Sequence, residues 1–210
     1  MEEYKLAHQS INEAVQQLDK EENLSLKIYI KNMKAWTDWK AEDYESAYKW
    51  AVKAREEALD FFDNENTDSF IWSTVVIGVY KLKKGDLVGA EAAIKDSLVR
   101  LEREYEGPSV VDDQAYSHTV LGDIYTCKGK LLEAKAEYQT AEKIYNKLYR
   151  KKEGDGTSEL YVSFAILGAK LKDDFLAKHY LDIHKKYYGP DHKGTQKILQ
   201  FFRDNNIEFL

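Results

Sequence analysis

The feature that most constrains the fold of this chain is a sequence repeat of about 44 residues. Gly78 and Gly85 recur as Gly122 and Gly129, each 44 residues later. A third copy begins at Ile166-Leu167-Gly168, and Gly168 lies 46 residues beyond Gly122. A fixed period of this length is typical of chains built from similar structural units, each packed on its neighbours along the sequence.

A second marker with the same period is a small residue followed by an apolar one. The small residues are Ala47, Ala90, Ala134 and Ala177, and the residues four positions later are Ala51, Ile94, Tyr138 and Leu181. Seven positions after the first set come Ala54, Ser97, Ala141 and His184. Spacings of four and seven bring side chains to one face of an α-helix. The pattern therefore predicts one helix per repeat whose small residues let a second helix approach closely.

Both prolines of the chain stand in Gly-Pro pairs that lie close to two repeat lengths apart. The pairs are Gly107-Pro108 and Gly189-Pro190, and each follows a helical run that contains tyrosine. Glycine suits the left-handed residue that closes a helix, and proline cannot continue the helix. No segment alternates apolar and polar residues for long enough to indicate a strand. The predicted fold class is all-α.

The repeat predicts a single domain spanning 1–210, made of helical hairpins with a cap helix at each end. The hairpins are placed at about 24–63, 67–106, 109–152 and 157–188, and the cap helices at about 2–20 and 191–205. Asp112 and Asp191 are predicted N-caps. The inter-helix turn at Lys172 is predicted to lack the usual glycine and about three residues.

The third hairpin resembles a tetratricopeptide (TPR) repeat. The matching residues are Leu121-Gly122-Asp123-Ile124-Tyr125, followed by Gly129, Ala134, Tyr138 and Ala141. The long period and the Tyr-x-Gly-Pro turns are similar to the kinesin-light-chain-like variety. The resemblance covers about 24–205 and weakens in the first hairpin, where Lys34-Ala35 replaces Leu-Gly. It implies a right-handed α-α superhelix, a TPR-like solenoid of about four hairpins with N- and C-terminal capping helices.

Two kinds of binding site known in this superfamily do not transfer to this chain. Thr119-Val120 and Val75-Val76 stand where kinesin light chains commonly carry an Asn pair. The Lys and Asn clamp for a C-terminal carboxylate is also missing, because its positions hold Val75, Val79, Thr119 and Asp123.

The resemblance implies that the first helix of each hairpin lines a concave groove for a partner. The residues expected to point there are Tyr29, Asn32, Trp36, Trp39, Trp72, Val75, Val79, Tyr116, Thr119, Asp123, Thr126, Ala165 and Ala169. Tyr29, Trp72 and Tyr116 are in phase, at spacings of 43 and 44 residues. They either form an exposed aromatic ladder or pack between hairpins.

Charge and hydropathy restrict the class of partner. With 31 basic and 37 acidic residues, the net charge is −6, so nucleic acid is not an expected partner. No run approaches the ~18 apolar residues that a membrane helix needs, so no membrane partner is expected. The start of the chain lacks a signal peptide's apolar stretch. The one cysteine excludes a disulfide scaffold and fits a reducing compartment, so the expected location is cytoplasmic.

Catalytic and metal-binding patterns are missing from the sequence. The five histidines form no pair at the helical metal-site spacing and no HExxH motif. Residues 63–68 lack the glycine of a calcium loop and are interpreted as a polar connection. Residues 154–158 are interpreted as a flexible connection. Cys127 has no nearby base. We therefore predict no catalytic residues, metal or cofactor.

The leading hypothesis is a non-enzymatic interaction scaffold or adaptor that binds a peptide or helix of a partner protein in the concave groove. The first alternative is a self-assembling, homo-oligomeric structural protein, in which an apolar tail buries against another copy instead of folding back as a cap. That tail contains Phe201, Phe202, Ile207, Phe209 and Leu210. The second alternative is a regulatory module that senses a small peptide or ligand. The expected state is a monomer or a weak homo-oligomer.

Overall fold

The computed structural model describes residues 2–62, 68–104, 108–148 and 155–207, and within these ranges the chain is entirely helical. A short 3₁₀ turn, Leu18–Lys20, follows the first helix. The α-helices are α1 (Glu2–Gln16), α2 (Leu24–Lys40), α3 (Tyr44–Phe62), α4 (Asp68–Lys83), α5 (Leu87–Glu104), α6 (Pro108–Cys127), α7 (Leu131–Leu148), α8 (Asp155–Leu171), α9 (Asp174–Tyr188) and α10 (Lys193–Asp204). The predicted all-α fold class is confirmed.

The helices pair in sequence as four hairpins, α2–α3, α4–α5, α6–α7 and α8–α9. Their bounds lie within a few residues of those that the repeat predicts. The predicted polar connection at 63–67 and the tail residues Phe209 and Leu210 lie outside the described residues.

All four hairpins use the same turn between their two helices. The left-handed residues are Glu42 (φ 65°), Gly85 (φ 80°), Gly129 (φ 72°) and Lys172 (φ 57°). Each is followed by a backbone N–H that donates to the carbonyl five residues earlier, as from Lys130 to Tyr125 at 2.9 Å and from Asp173 to Gly168 at 2.9 Å. These bonds give donors to carbonyl groups at the helix end that have no partner within the helix.

The prediction that the fourth turn is about three residues shorter is wrong. Lys172 follows Gly129 by 43 residues, which is a full repeat. The counterpart of Gly122 is therefore Ala165, also 43 residues later, and not Gly168. Gly168 serves a different contact, since a Cβ there would lie 2.5 Å from the backbone nitrogen of Ala177.

The small residue in the first helix of a hairpin matches the size of its partner in the second. A Cβ on Gly122 would lie 2.2 Å from the ring of Tyr138, and a Cβ on Gly78 would lie 2.8 Å from Ile94. The same position in the first hairpin is Ala35, which clusters with the small residues Ala47 and Ala51. Where the two helices of a hairpin cross, close packing leaves no room for a larger side chain on either helix.

Three local predictions are wrong. Asp112 lies inside α6 rather than at its start. The N-cap of α10 is His192, not Asp191. The segment predicted as a flexible connection enters α8 at Asp155, and Thr157 and Ser158 are buried.

The chain divides into two compact units, Met1–Tyr105 and Glu106–Leu210, and the predicted single domain stays a prediction. The core of the first unit contains Ile28, Ala58 and Phe70 in one cluster, and Ala35 with Trp39, Trp50 and Trp72 in another.

A buried carboxylate joins α1, α2 and α3 in the first unit. Asp38 is 1% exposed and accepts a hydrogen bond from Ser46 at 2.5 Å. The same carboxylate pairs with Lys34, and it lies 3.1 Å from the ring nitrogen of His8 on α1. A buried charge needs such partners, because an unpaired one would lose its hydration without compensation.

The core of the second unit is built on a column of aromatic rings. Phe164 on α8 stacks on Tyr180 of α9, with ring centroids 4.2 Å apart, and it meets Tyr138 of α7 at 5.1 Å. The last helix, α10, packs on α8 and α9 and buries Ile198 and Phe202. Phe202 thus folds back onto its own chain.

Candidate functional site

The predicted groove residues fall into four repeat positions on the first helices of the hairpins. One position holds Asn32, Val75 and Thr119, and the corrected register adds Val162. These four side chains are 4%, 0%, 1% and 5% exposed, so this position packs into the core. Asn32 accepts a hydrogen bond from Ser73 of the next hairpin at 2.6 Å. These four side chains lie beneath the predicted groove surface. They are too buried to contact a partner.

The predicted aromatic ladder occupies a second position, and its members differ in exposure. Tyr29 is 57% exposed. Trp72 is half-buried and packs from α4 against the cluster that contains Ala35 of α2. In unit one the ladder position is thus exposed in the first hairpin and partly packed between hairpins in the second.

In the second unit the ladder position continues as Tyr116 and Glu159. The Tyr116 hydroxyl donates a hydrogen bond to the Glu159 carboxylate. Burial, and then the negative charge of Glu159, raise the pKa of Tyr116 well above its ordinary value. Glu159 is itself exposed. A polar pair therefore stands here instead of two aromatic rings.

A third position holds Trp36, Val79 and Asp123, and in the corrected register Ile166. Asp123 is half-buried, and it accepts a hydrogen bond from the Tyr138 hydroxyl at 2.6 Å. Burial raises the pKa of Asp123, although hydrogen bonds from Tyr138 and Ser163 and the charge of Lys197 oppose the shift. The carboxylate is thus hydrogen-bonded from α7 and α8, and the charge of Lys197 on α10 also acts on it.

The fourth position holds Trp39 and Thr126, with Ala169 in the corrected register, and all three are half-buried. Thr126 lies 3.2 Å from the Tyr138 hydroxyl. Ala165, which was predicted to point into the groove, is fully buried. It offers a partner no surface, since it takes the inward place that Gly122 has in the third hairpin.

Sequence reasoning missed Glu159, Ser163, Lys170 and Lys197 on this side of the second unit. Gly168 was aligned with Gly122, which shifts the fourth hairpin by three residues. The spacing of 43 between Ala134 and Ala177 is the signal that gives the observed register.

In the first unit, lysine ammonium groups of the same chain lie over half-buried aromatic rings. The Trp39 and Tyr44 rings lie 4.6 Å apart. The Lys83 ammonium group is 3.9 Å from the Tyr44 ring centre and 5.8 Å from that of Trp39. Lys40 lies 5.8 Å from the Trp36 ring. An ammonium group over a ring face is attracted by the ring quadrupole.

Cys127 does not have the environment of a catalytic nucleophile. Its pKa is raised, first by burial and then by the charge of Asp123, although Lys170 opposes the shift. A raised pKa keeps the thiol protonated and unreactive. The nearest sequence candidate for a base, His118, pairs instead with Glu137 at 2.7 Å.

The described residues offer neither a metal site nor a membrane-spanning helix. In those ranges no three His, Cys, Asp or Glu side chains converge as metal ligands would. Likewise, the described helices include none with the length and apolar character to cross a bilayer.

Comparison with solved structures identifies the fold. BtubC (BKLC) from P. vanneervenii, a kinesin-light-chain-like protein, superposes with a TM-score of 0.65 at 14% identity, over 88% of this chain and 72% of its own. A Rap protein complexed with competence and sporulation factor gives a TM-score of 0.75 at 13% identity, over 98% of this chain and 61% of its own. Both are TPR-like helical repeat proteins.

The chain therefore has a TPR-like helical repeat fold, as predicted from the third hairpin. No protein-family profile matches the sequence, and no curated protein does.

Proposed function

We propose that this chain is a non-enzymatic interaction module that holds a peptide or a helix of a partner protein on the first helices of its hairpins. The observation that carries the proposal is the fold shared, over 98% of the chain, with a Rap protein solved in complex with a factor. Helical repeat proteins of this type are generally non-enzymatic.

Aromatic side chains of the first unit are the proposed partner contacts there. Tyr29 is exposed, while Trp36, Trp39 and Trp72 are half-buried. Rigid aromatic rings give a large contact area at a low cost in conformational entropy, and Trp and Tyr are enriched among the residues that dominate binding energy. Trp39 and Trp72 pack against the buried cluster that contains Ala35 and Val76, which limits the movement of these two rings.

Polar groups dominate the corresponding repeat positions of the second unit. Asp123, Thr126, Tyr116 and Glu159 offer hydrogen-bond acceptors and hydroxyl groups that are already positioned by neighbouring helices. We propose that a partner segment meets this unit through polar contacts. Groups fixed in advance lose little entropy when they bind.

The experiment is affinity capture with the full chain, followed by direct binding measurements with the captured partner's segment. We expect Trp36→Ala to weaken binding about 30-fold, the effect of losing a contact worth about 2 kcal/mol. Trp50→Ala is the matched control, because Trp50 lies on a second helix and is also half-buried. Its affinity should stay within twofold of that of the unchanged chain. A folded Trp36→Ala chain that binds like the control would overturn the proposal for the first unit.

Self-assembly is a second candidate, supported by exposed apolar residues near the start of the second helices. Val88, Leu132 and Phe175 are 77%, 75% and 81% exposed and occupy the same repeat position. Self-assembly through the apolar tail near the end of the chain has less support, since Phe202 of that tail is buried in its own unit.

Light scattering on the unchanged chain and on Leu132→Ser with Phe175→Ser distinguishes this candidate. If these residues mediate self-assembly, the unchanged chain has a mass above that of a monomer and the double variant does not. Identical monomeric masses would rule the second candidate out.

A further inference from the structure

Two histidines meet where α10 joins the rest of the second unit. His184 lies on α9 and is fully buried, and His192 lies in the turn before α10. Their ring centroids are 5.2 Å apart. Both rings hydrogen-bond to groups that fix α10 in place, so their protonation states bear on whether α10 stays docked.

The hydrogen bonds around His184 define its tautomer. Thr195 of α10 donates its hydroxyl hydrogen to the Gly189 carbonyl at 2.7 Å. The same hydroxyl oxygen lies 2.8 Å from Nδ1 of His184, so it must accept a hydrogen there. Nδ1 therefore carries the proton of the neutral ring. Nε2 is left without one and accepts from the Ser158 hydroxyl of α8 at 2.9 Å.

His192 must also be unprotonated at the nitrogen that caps α10. Its Nδ1 accepts a hydrogen bond from the Gly194 backbone N–H at 3.1 Å. This bond satisfies one of the N–H groups that have no partner inside the helix. A proton on Nδ1 would replace this attraction by a repulsion between two N–H groups.

The groups around His184 offer nothing to balance a positive charge. Thr157 and Ser158 of α8 and Thr195 of α10 are uncharged, and the neighbouring titratable rings are Tyr188 and His192. Tyr188 shares a hydrogen bond with Thr157 at 2.5 Å. Among the described residues, no carboxylate pairs with either histidine. Gly194 closes the site, because a Cβ there would lie 2.6 Å from Nε2 of His184.

We propose that His184 and His192 form an acid-sensitive latch: the two neutral imidazoles hold α10 against α8 and α9, and their protonation releases it. The released helix would expose Ile198 and Phe202, which are buried when α10 is docked. It would also take Lys197 away from Asp123. The latch does not depend on the proposed function.

The direction and size of the effect follow from linkage. Burial, and then the charge of His192, lower the pKa of His184 from 6.5 to about 4. The released state therefore binds the proton more tightly than the docked state, so acid favours release. Between pH 7.5 and pH 5 the opening equilibrium of α10 should rise about 30-fold from this group alone.

Hydrogen exchange of the full chain, read by mass spectrometry at pH 7.5 and pH 5, measures this equilibrium. Rates are corrected for the intrinsic pH dependence of exchange, and the amides of α4 serve as the internal reference. We expect the protection of α10 to fall about 30-fold at pH 5, while that of α4 changes less than threefold.

Three single substitutions assign the effect. His184→Gln can still donate and accept hydrogen bonds but does not titrate, so most of the pH dependence of α10 protection should vanish. In His192→Gln, the part of the pH dependence of α10 protection that comes from His184 should remain. His179→Gln is the matched control, because His179 is exposed on the same helix and stacks on Phe175. Its chain should behave like the unchanged one.

A proton NMR titration of the five histidines tests the latch even if His184→Gln fails to fold. The latch requires one imidazole that stays neutral below pH 5 while α10 is docked. It also requires α10 protection to fall as the pH drops below about 6.5 and to level off where that imidazole becomes protonated. Three results would overturn the proposal. They are α10 protection that is independent of pH, an equal loss of protection in α4, and a pH dependence of α10 protection that is undiminished in His184→Gln.

Discussion

At the scale of single residues, this fold depends on matched sizes at each helix crossing. Gly122 faces Tyr138, and the Tyr138 hydroxyl in turn reaches the carboxylate of Asp123 at 2.6 Å. The glycine is therefore needed for more than backbone freedom. It admits a ring that both fills the core and orients a candidate partner contact.

The first prediction tests this crossing. Gly122→Ala places a Cβ 2.2 Å from the Tyr138 ring, which cannot move without disturbing its tilted contact with the Phe164 ring. We expect a loss of about 2 kcal/mol in the free energy of unfolding, as for overpacked cores. The measurement is urea unfolding followed by circular dichroism.

Gly78→Ala is the comparison for this prediction. Its new Cβ would lie 2.8 Å from the terminal carbon of Ile94, a flexible aliphatic chain. We expect a loss below 1 kcal/mol there, because Ile94 can change rotamer. Equal losses in the two variants would contradict the size-matching argument.

At the scale of elements, the hairpin turn is a fixed geometry that tolerates different residues. Gly85 and Gly129 adopt its left-handed conformation without steric cost, whereas Glu42 and Lys172 adopt it despite their Cβ atoms. The hydrogen bond that closes the helix is the same in all four turns. Repeat position, rather than the presence of glycine, therefore defines this turn.

The second prediction follows from that conformation. Lys172→Gly should raise the free energy of unfolding by about 1 kcal/mol, since it removes the strain of a left-handed lysine. Thermal and urea unfolding measure the change.

Lys143→Gly provides the control, because it makes the same substitution at an exposed position inside α7, before the last turn of that helix. It should lower stability by about 1 kcal/mol, as glycine does in a helix interior. A loss of stability in both variants would mean that the left-handed conformation of Lys172 is not strained.

At the scale of the whole molecule, acid acts on a few buried groups. His184 is neutral and fully buried, and its pKa is lowered to about 4. A group whose pKa is lower in the folded state than in the unfolded chain contributes stability above its unfolded pKa. For a histidine this stability declines as the pH falls from about 6.5 towards 4.

The third prediction concerns the stability of the full chain. Between pH 7.5 and pH 4, His184 should account for a loss of about 3 kcal/mol, since one pKa unit corresponds to about 1.4 kcal/mol. Urea unfolding of the unchanged chain and of His184→Gln at several pH values isolates this part, because carboxylates titrate in both. Parallel stability curves for the two chains would show that His184 does not contribute.

Much of the fold could be predicted from local patterns. The Ala47 series and the glycine pairs located every hairpin, because small residues at helical spacing mark where two helices cross. The candidate site was harder to predict. Asn32 and Trp36 lie four residues apart on α2, yet Asn32 is 4% exposed and Trp36 is half-buried.

Two further features could not be predicted from local sequence patterns. They are the register of the fourth hairpin and the contacts of His184 and His192. Gly168 and Ala165 are both small, and nothing local distinguishes the one that meets α9 in the place of Gly122. His184 and Thr195 are eleven residues apart and come together only because α9 and α10 pack against each other.

The sequence by itself determined that the chain is all-α, that it repeats as four helical hairpins, and where these hairpins lie to within a few residues. These properties depend on spacings of a few residues, which backbone geometry converts directly into helices and turns. Only the tertiary structure decided which side chains face outward, that Asp123 is hydrogen-bonded from both α7 and α8, and that His184 and His192 meet where α10 packs on the rest of its unit. Those properties arise from groups that are distant in sequence, and their energies depend on the burial that packing alone creates.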